Sequence, residues 1–414
     1  MMTEPTVTVY GAYWCPDCRR SKQFLGEHQI PYNWVNIEED KEAEAYVIQV
    51  NDGKRIIPTI VFADHSVLVE PSNAELAAKL GLKTSASRSH YDLIVIGGGP
   101  AGLTAALYTA REGLDTLVIE RAALGGQAAA TEKLDNMPGF PEGVKGIDFA
   151  DRLRRQAERF GVELLQAQDV VSIHSHDNYH CVTTADGSEY SGSTLLLATG
   201  SRYKRLNVPG ESDYIGAGVH FCATCDGPFY KGKHVAVVGG GNSAAEESLL
   251  LTKFADKVTI LVRGDAFRAS QVIQEAVAGD PHIEVRWHTE VEEFVGADAT
   301  LKKLKLVNND TGSNSELAVD GAFIFIGLTP NTGYLAQSGV TLNEWGFVVT
   351  GHDLVHEGEA LARLNGREPA FLETSVPGIF AAGDARAGST KQVASAAGEG
   401  ATAALLIREY LKTV

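Results

Sequence analysis

The chain has 414 residues, enough for roughly three domains that each bury a core. A hydrophobic share of 44% and a charged share of 21% are those of a soluble globular protein, and no apolar run is long enough to span a bilayer. The net charge of −17 serves solubility and excludes the basic face that a nucleic-acid partner requires.

Met1-Met2-Thr3-Glu4-Pro5 lacks a basic region leading into an apolar one, so no signal peptide is expected. Of 5 cysteines, four form the pairs Cys15-Pro-Asp-Cys18 and Cys222-Ala-Thr-Cys225, which fits a reducing compartment and an expected cytoplasmic location. Cys181 reads as a small half-buried filler.

Residues 5–82 form a first unit. Residues 6–10 alternate like a strand, Cys15-Pro16 opens a helix through Phe24 and Leu25, and residues 32–37 make a second strand. A polar helix and the run 56–62, entered through Pro58, complete a β-α-β-α-β order, the layout of a thioredoxin-like fold. Cys15 stands where strand turns into helix, with Pro16 suited to the first helical position. The positive helix end, with Arg19 and Arg20 nearby, is expected to favour its thiolate, making Cys15 the nucleophile and the more buried Cys18 the resolving thiol. Pro58 is expected to be cis. Residues 83–90 (KTSASRSH) are small and polar, a linker by composition.

From residue 91 buried strands alternate with helices. The apolar run 93–96 feeds Gly97-x-Gly99-Pro100-Ala101-Gly102. In this dinucleotide fingerprint Gly97 makes the tight turn, Gly99 lets a pyrophosphate approach the backbone, and Gly102 lets helix pack on strand. Glu120 closes the next strand, 116–119, where a carboxylate can hold ribose hydroxyls. The same grammar recurs once: residues 235–238 feed Gly239-x-Gly241-x-Ser243-Ala244. Its following strand, 258–262, ends in Arg263 where an NAD site would place a carboxylate. That cation, with Arg268, suits the 2′-phosphate of NADPH. His174, His176 and His180 could suggest a metal, but no acidic or cysteine cluster accompanies them, so the segment is expected to be an exposed hairpin with no metal.

Glu120 to Gln127 (ERAALGGQ, including Gly126), Asn136-Met-Pro-Gly139, Ala198-Thr-Gly200, Cys222-Ala-Thr-Cys225-Asp226-Gly227 and Gly378-Ile-Phe-Ala-Ala-Gly383-Asp384 together resemble low-molecular-weight thioredoxin reductases, and the likeness runs over residues 91–414. The resemblance implies an α/β fold with two Rossmann-like domains. An FAD domain would be split into 91–199 and 332–414, with an NADPH domain carrying the redox pair inserted at 200–331. It implies that Asp384 meets the ribityl-phosphate region of FAD and that Lys391-Gln392-Val393 lie by the isoalloxazine ring. Lys391 stands where the family often has arginine, an exchange that changes hydrogen-bond geometry. Relatives also carry an Arg-Arg-Asp-x-Phe-Arg stretch, of which this chain keeps Arg263 and Arg268 but has Gly264. By the same resemblance Cys225 takes electrons from the flavin, Cys222 exchanges with the acceptor disulfide, and Asp226 protonates the leaving thiolate. Residues 5–82 resemble glutaredoxins, most closely the mycoredoxin type, through Val9-Tyr10, Trp14-Cys15, Ile57-Pro-Thr59 and 67–72, which implies a glutaredoxin-like domain over 1–82. The glycine pair that many glutaredoxins use for glutathione is missing after Phe62, so glutathione is not the expected electron source.

The expected function is an electron relay from NADPH through FAD to Cys222/Cys225, then to Cys15/Cys18, then to an external disulfide. That acceptor is a disulfide-containing protein or a low-molecular-weight thiol adduct. Tethering raises the effective concentration of the first dithiol to about the millimolar range, although the eight residues of 83–90 reach at most about 28 Å. The family resemblance implies a homodimer, in which exchange in trans is open. The rival readings are a reductase of a separate thioredoxin or peroxiredoxin, a redox sensor or adaptor without turnover, and a flavin oxidase with idle cysteines. Residues 351–372, with Leu354, Leu361 and Leu364, are expected to form a surface excursion.

Overall fold

The computed structural model describes residues 7–28, 30–131, 133–176, 178–297, 300–356 and 367–413. They divide into two compact units: Met1–Ala130, Gly146–Gly200 and Thr332–Val414 form one, and Thr131–Lys145 with Ser201–Asn331 form the other. The fold is α/β throughout.

The first unit begins with a four-stranded sheet in the order Tyr32–Asn36, Val7–Gly11, Thr59–Phe62, Val67–Val69. Its first pair is parallel and the other two are antiparallel. Val7, Val9, Ile60 and Phe62 alternate onto one face and bury Phe24, Leu25, Leu76 and Ala77 from the helices Pro16–Glu27 and Asn73–Lys79. Period-two alternation on the strands and period-3.6 spacing on the helices make this core. Ser72 caps the last of these helices through a reciprocal pair with Glu75.

The rest of the first unit is a doubly wound sheet. Its strands run Glu163–Leu165, Thr116–Ile119, His90–Ile96, Glu189–Leu197, His180–Thr184 and Val170–Ser175, and Ile379–Ala381 also pairs with Glu189–Leu197. The central strands are parallel and apolar on both faces, so each face carries its own buried cluster. The helices Pro100–Arg111 and Val393–Leu411 pack together on one face. They can approach because Gly400 lacks the side chain that would strike the Ala101 carbonyl.

The second unit holds a parallel sheet ordered Val219–His220, Gly321–Ile324, His234–Val238, Lys257–Leu261, Ile283–Arg286. An antiparallel meander, Thr289–Ala297, Thr300–Asn308 and Asn314–Ala318, follows the last of these parallel neighbours in sequence. Among the described residues no helix is long and apolar enough to cross a membrane.

The polar stretch 83–90 is bonded along its length: Gln166 N–H donates to Lys83 O at 2.8 Å and Gln168 Nε2 to Thr84 O at 2.8 Å. Two sequence expectations need correction. The histidine hairpin is exposed at His174 and His176, but His180 is 4% exposed, because Gly378 brings its backbone against the imidazole. Leu354 sits in the 3₁₀ turn Gly351–His356 and is fully buried beside Val349, whereas Leu361 and Leu364 lie outside the described residues.

Candidate active site

Cys15 is the N-cap of Pro16–Glu27 and accepts a hydrogen bond from Cys18 N–H at 3.0 Å. A sulfur in that place satisfies a backbone donor that the helix leaves open. Its Sγ lies 3.8 Å from the Ile57 carbonyl, and the Ile57–Pro58 peptide is cis. Cys15 and Cys18 are free and buried, at 4% and 1% exposure. Burial first, and then the hydrogen bond to Cys15, push the Cys18 thiol up to about 12. Cys18 therefore stays protonated. Gly11 makes room for it, since a methyl there would lie 2.6 Å from Cys18 Sγ. Arg20 pairs with Asp17 and donates to the Pro71 carbonyl, and Arg19 donates to the Trp14 carbonyl at 3.3 Å. Tyr13 and Trp14 stand exposed beside the dithiol, at 62% and 59%.

In the first fingerprint Gly97 takes φ 107°, and a side chain there would strike Ala198 O. A methyl on Gly102 would strike Gly97 O. Gly99 is different: nothing lies within 4 Å of a methyl placed there, and it caps Pro100–Arg111 with no side-chain bond. The open N–H groups, with Pro100 and buried Ala101 in the first turn, fit the pyrophosphate of FAD. Glu120 receives Gly98 N–H on Oε2 at 2.7 Å and Ala122 N–H on Oε1 at 2.9 Å, and burial raises its carboxyl. Each oxygen keeps a second lone pair able to accept a hydroxyl. Gly126 and Gln127 open the helix Gly126–Ala130, and a methyl on Gly126 would lie 3.3 Å from Gly99 Cα.

Gly383 and Asp384 lie in the 3₁₀ turn Gly383–Ala385. Burial raises the Asp384 carboxyl, against the pull of Lys391. Lys391 takes φ 56° and donates to the carbonyls of Asp384 and Arg386, both at 2.9 Å. Gln392 caps Val393–Leu411, of which Val393 is the first residue. Sequence reasoning missed the pair that fixes this turn: Arg386 Nη2 meets Glu399 Oε1 at 2.7 Å, while Glu399 Oε2 accepts Gly383 N–H at 2.7 Å. Their signal was two opposite charges, Arg386 and Glu399, in a stretch of mostly small residues. Asn136 belongs to the Thr131–Lys145 segment of the second unit, unlike the other flavin candidates.

In the second unit Gly239 takes φ 147° against Phe325 O, and Gly241 caps Asn242–Leu251 with open space before it. Ser243 is exposed in the first turn and Ala244 buried beneath it. Arg268 N–H donates to Gly240 O at 2.7 Å, tying the Arg263–Arg268 loop to the fingerprint. Both arginines are exposed, and Arg263 Nε pairs with Glu290 Oε1 at 3.7 Å. The donors fit a nicotinamide dinucleotide bearing a phosphate.

Cys222 and Cys225 form a disulfide at the N-terminus of the short helix Ala223–Asp226, with Cys225 N–H donating to Cys222 Sγ at 3.2 Å. Asp226 Oδ2 lies 3.4 Å from His220 Nδ1, and His220 Nε2 lies 2.6 Å from the Tyr230 hydroxyl. Neither His220 nor Tyr230 was read from the sequence.

The pyridine nucleotide-disulphide oxidoreductase family matches residues 91–400, and the glutaredoxin family residues 7–67. The thioredoxin reductase of Treponema pallidum (strain Nichols) is 40% identical over 324 residues, 78% of this chain and 98% of that protein. The thioredoxin reductase of Bacillus subtilis (strain 168) is 40% identical, over 78% of this chain and 95% of its own. The solved thioredoxin reductase of Streptococcus pyogenes MGAS5005 aligns with TM-score 0.71 and 36% identity, over 79% of this chain and 100% of its own. With both nucleotide cradles and the redox disulfide in place, the chain belongs to the pyridine nucleotide-disulphide oxidoreductase family, among the thioredoxin reductases, as a disulfide oxidoreductase using FAD and NADPH and carrying an N-terminal glutaredoxin domain.

Proposed function

We propose that the enzyme passes an electron pair from Cys222/Cys225 to its own Cys15/Cys18, which then reduces an external disulfide. One observation carries this reading: a single chain presents two N-capped Cys-x-x-Cys pairs, one a disulfide and the other a dithiol whose second thiol is held protonated. FAD and NADPH, when bound, supply the electron pair that opens Cys222–Cys225. The Cys222 thiolate attacks the Cys15 sulfur, the Cys15–Cys18 bond breaks, and Cys18 leaves with a proton from Asp226. Cys225 then attacks Cys222, its proton passing to Asp226, and releases Cys15 as thiolate at the helix N-terminus. That thiolate opens the acceptor disulfide, and Cys18 resolves the mixed disulfide.

The same reading assigns Gly97, Gly99, Pro100, Ala101, Gly102, Glu120, Gly126, Gln127, Asn136, Ala198, Gly383 and Asp384 to FAD. Lys391, Gln392 and Val393 serve its ring, and Gly239, Gly241, Ser243, Ala244, Arg263 and Arg268 serve NADPH. The domains are 1–82, 91–199 with 332–414, and 200–331, joined by 83–90. A cytoplasmic homodimer reducing a protein disulfide or a low-molecular-weight thiol adduct completes the proposal.

The test is anaerobic NADPH addition, rapid alkylation and mass-spectrometric mapping of thiols. All four cysteines should be labelled, and Cys15 and Cys18 should stay oxidised in Cys222→Ser. Labelling of Cys222 and Cys225 alone would sink the relay and turn the search to a separate thioredoxin.

A further inference from the structure

We propose that His220 is a positioning residue for Asp226, and that the two together hold the proton exchanged with the Cys222/Cys225 dithiol. The inference rests on the reading of Asp226 as the acid of that site. The edge strand Val219–His220 delivers His220 two residues before the redox pair. The 3₁₀ turn Gly227–Tyr230 then folds Tyr230 back beneath it. His220 is 8% exposed and Tyr230 6%, so water does not compete freely for their polar atoms.

The three groups stand in a row, a hydrogen bond joining Tyr230 to His220 and a 3.4 Å approach joining His220 to Asp226. Burial, followed by Asp226 and Asp320, keeps the Tyr230 phenol protonated, so its O–H donates to His220 Nε2. A neutral imidazole that accepts on Nε2 carries its hydrogen on Nδ1, the atom that faces Asp226 Oδ2 at 3.4 Å. The surroundings leave that arrangement little freedom. The Phe323 ring lies 5.3 Å from the imidazole, and a methyl at Gly321 would strike the Tyr230 ring. The charged and titratable groups around the imidazole are Asp226 and Tyr230. Behind Tyr230 are Lys233, 5.2 Å from its ring, and Asp320.

The proton the pair passes on is one added to this neutral arrangement, taken on Asp226 or on His220 Nε2 with the Tyr230 hydroxyl turned to accept from it. The exchange balances with one such proton. The Cys222 thiolate attacks the acceptor disulfide, and the first acceptor sulfur leaves with the pair's proton. Cys225 S–H returns a proton to the pair as the Cys222–Cys225 bond re-forms and the second acceptor sulfur leaves as thiolate. The acceptor gains two electrons and the dithiol loses two.

The experiment measures iodoacetamide alkylation of Cys222 against pH in dithiothreitol-reduced full-length enzyme, read by mass spectrometry. Wild type, Asp226→Asn, His220→Asn, Tyr230→Phe and the Asp226→Asn/His220→Asn double variant are compared. Losing the imidazole leaves the carboxylate uncompensated beside the dithiol, so His220→Asn should raise the midpoint by about one pH unit. Tyr230→Phe, which keeps the ring packing, should move it the same way by less and carries the test if His220→Asn does not fold. Asp226→Asn should lower the midpoint, and adding His220→Asn to it should change nothing further. Unmoved His220→Asn and Tyr230→Phe profiles beside a shifted Asp226→Asn would overturn the role of His220 alone. An unmoved Asp226→Asn would overturn the acid assignment on which that role stands.

Discussion

His180 sits in the strand His180–Thr184 with Nδ1 2.9 Å from Ser175 Oγ, and burial first, then His176, lowers its imidazole to about 4. The folded chain thus takes up this proton less readily than the unfolded chain, whose imidazole titrates near 6.5. Stability from this site is present above pH 6.5 and is lost as pH falls from there to 4, on the order of 3 kcal/mol in all. His180→Asn should keep the bond to Ser175 and remove that dependence, flattening the fall in thermal midpoint between pH 6.5 and pH 4.5. An unchanged fall would place the acid sensitivity elsewhere. The two Cys-x-x-Cys pairs were legible at this scale because their chemistry is local: sulfur, proline and helix start are neighbours in sequence. His180 and His220 were not. A lone histidine carries no periodic signal, and what buries His180 is Gly378, nearly 200 residues away.

At the scale of elements, the glycines of one fingerprint divide into two kinds. Gly97 and Gly102 answer to the fold, since a methyl at either would strike backbone. Gly99 answers to the ligand, since a methyl there meets no protein atom within 4 Å but would occupy the space before the helix N-terminus. Gly99→Ala should therefore leave the thermal midpoint of the flavin-free chain within a few degrees and weaken FAD binding tenfold or more. Gly102→Ala should destabilise the chain with or without FAD. Flavin absorbance after gel filtration and melting of the stripped protein separate the two. Loss of stability in stripped Gly99→Ala would show that the open space is structural. Strand–turn–helix order was readable here because the spacing is imposed by geometry. The contact between Ala101 and Gly400 was not, being a long-range approach of two helices.

For the whole molecule, the decisive feature is the stretch 83–90, whose composition promises a free tether. Glu163 prevents that. Its carboxylate accepts Ser87 N–H at 2.6 Å, Ser87 Oγ–H at 2.7 Å and the Tyr91 hydroxyl at 2.6 Å, and it pairs with Lys83 at 2.6 Å. Burial alone would raise the carboxyl, but the bonds from Lys83, Tyr91 and Ser87 outweigh it and hold it at about 2. A carboxyl depressed in the folded state stabilises above its ordinary range near 4.5 and loses that effect as pH falls towards 2. The clamp is therefore complete at neutral pH. Ala167, four residues on, packs against the glutaredoxin core. Donor and acceptor of these bonds lie more than seventy residues apart, which is why composition does not show them.

A clamped tether has none of the reach of a free one, so the clamp bears directly on how Cys15 meets Cys222. Glu163→Ala removes the partner of Lys83, Ser87 and Tyr91 at once and should speed trypsin cleavage at Lys83 and Arg88 several-fold, while NADPH-dependent reduction of a small disulfide stays within twofold of wild type. The informative quantity is the single-turnover rate of Cys15–Cys18 reduction at several protein concentrations. If exchange runs within one chain, the rate is independent of concentration and should change on freeing the tether, because effective concentration depends on linker reach. If it runs between chains that associate reversibly, the rate should rise with concentration and be indifferent to Glu163. A proteolysis rate unchanged by Glu163→Ala would mean that the bonds of Gln166 and Gln168 to Lys83 and Thr84 hold the tether without it.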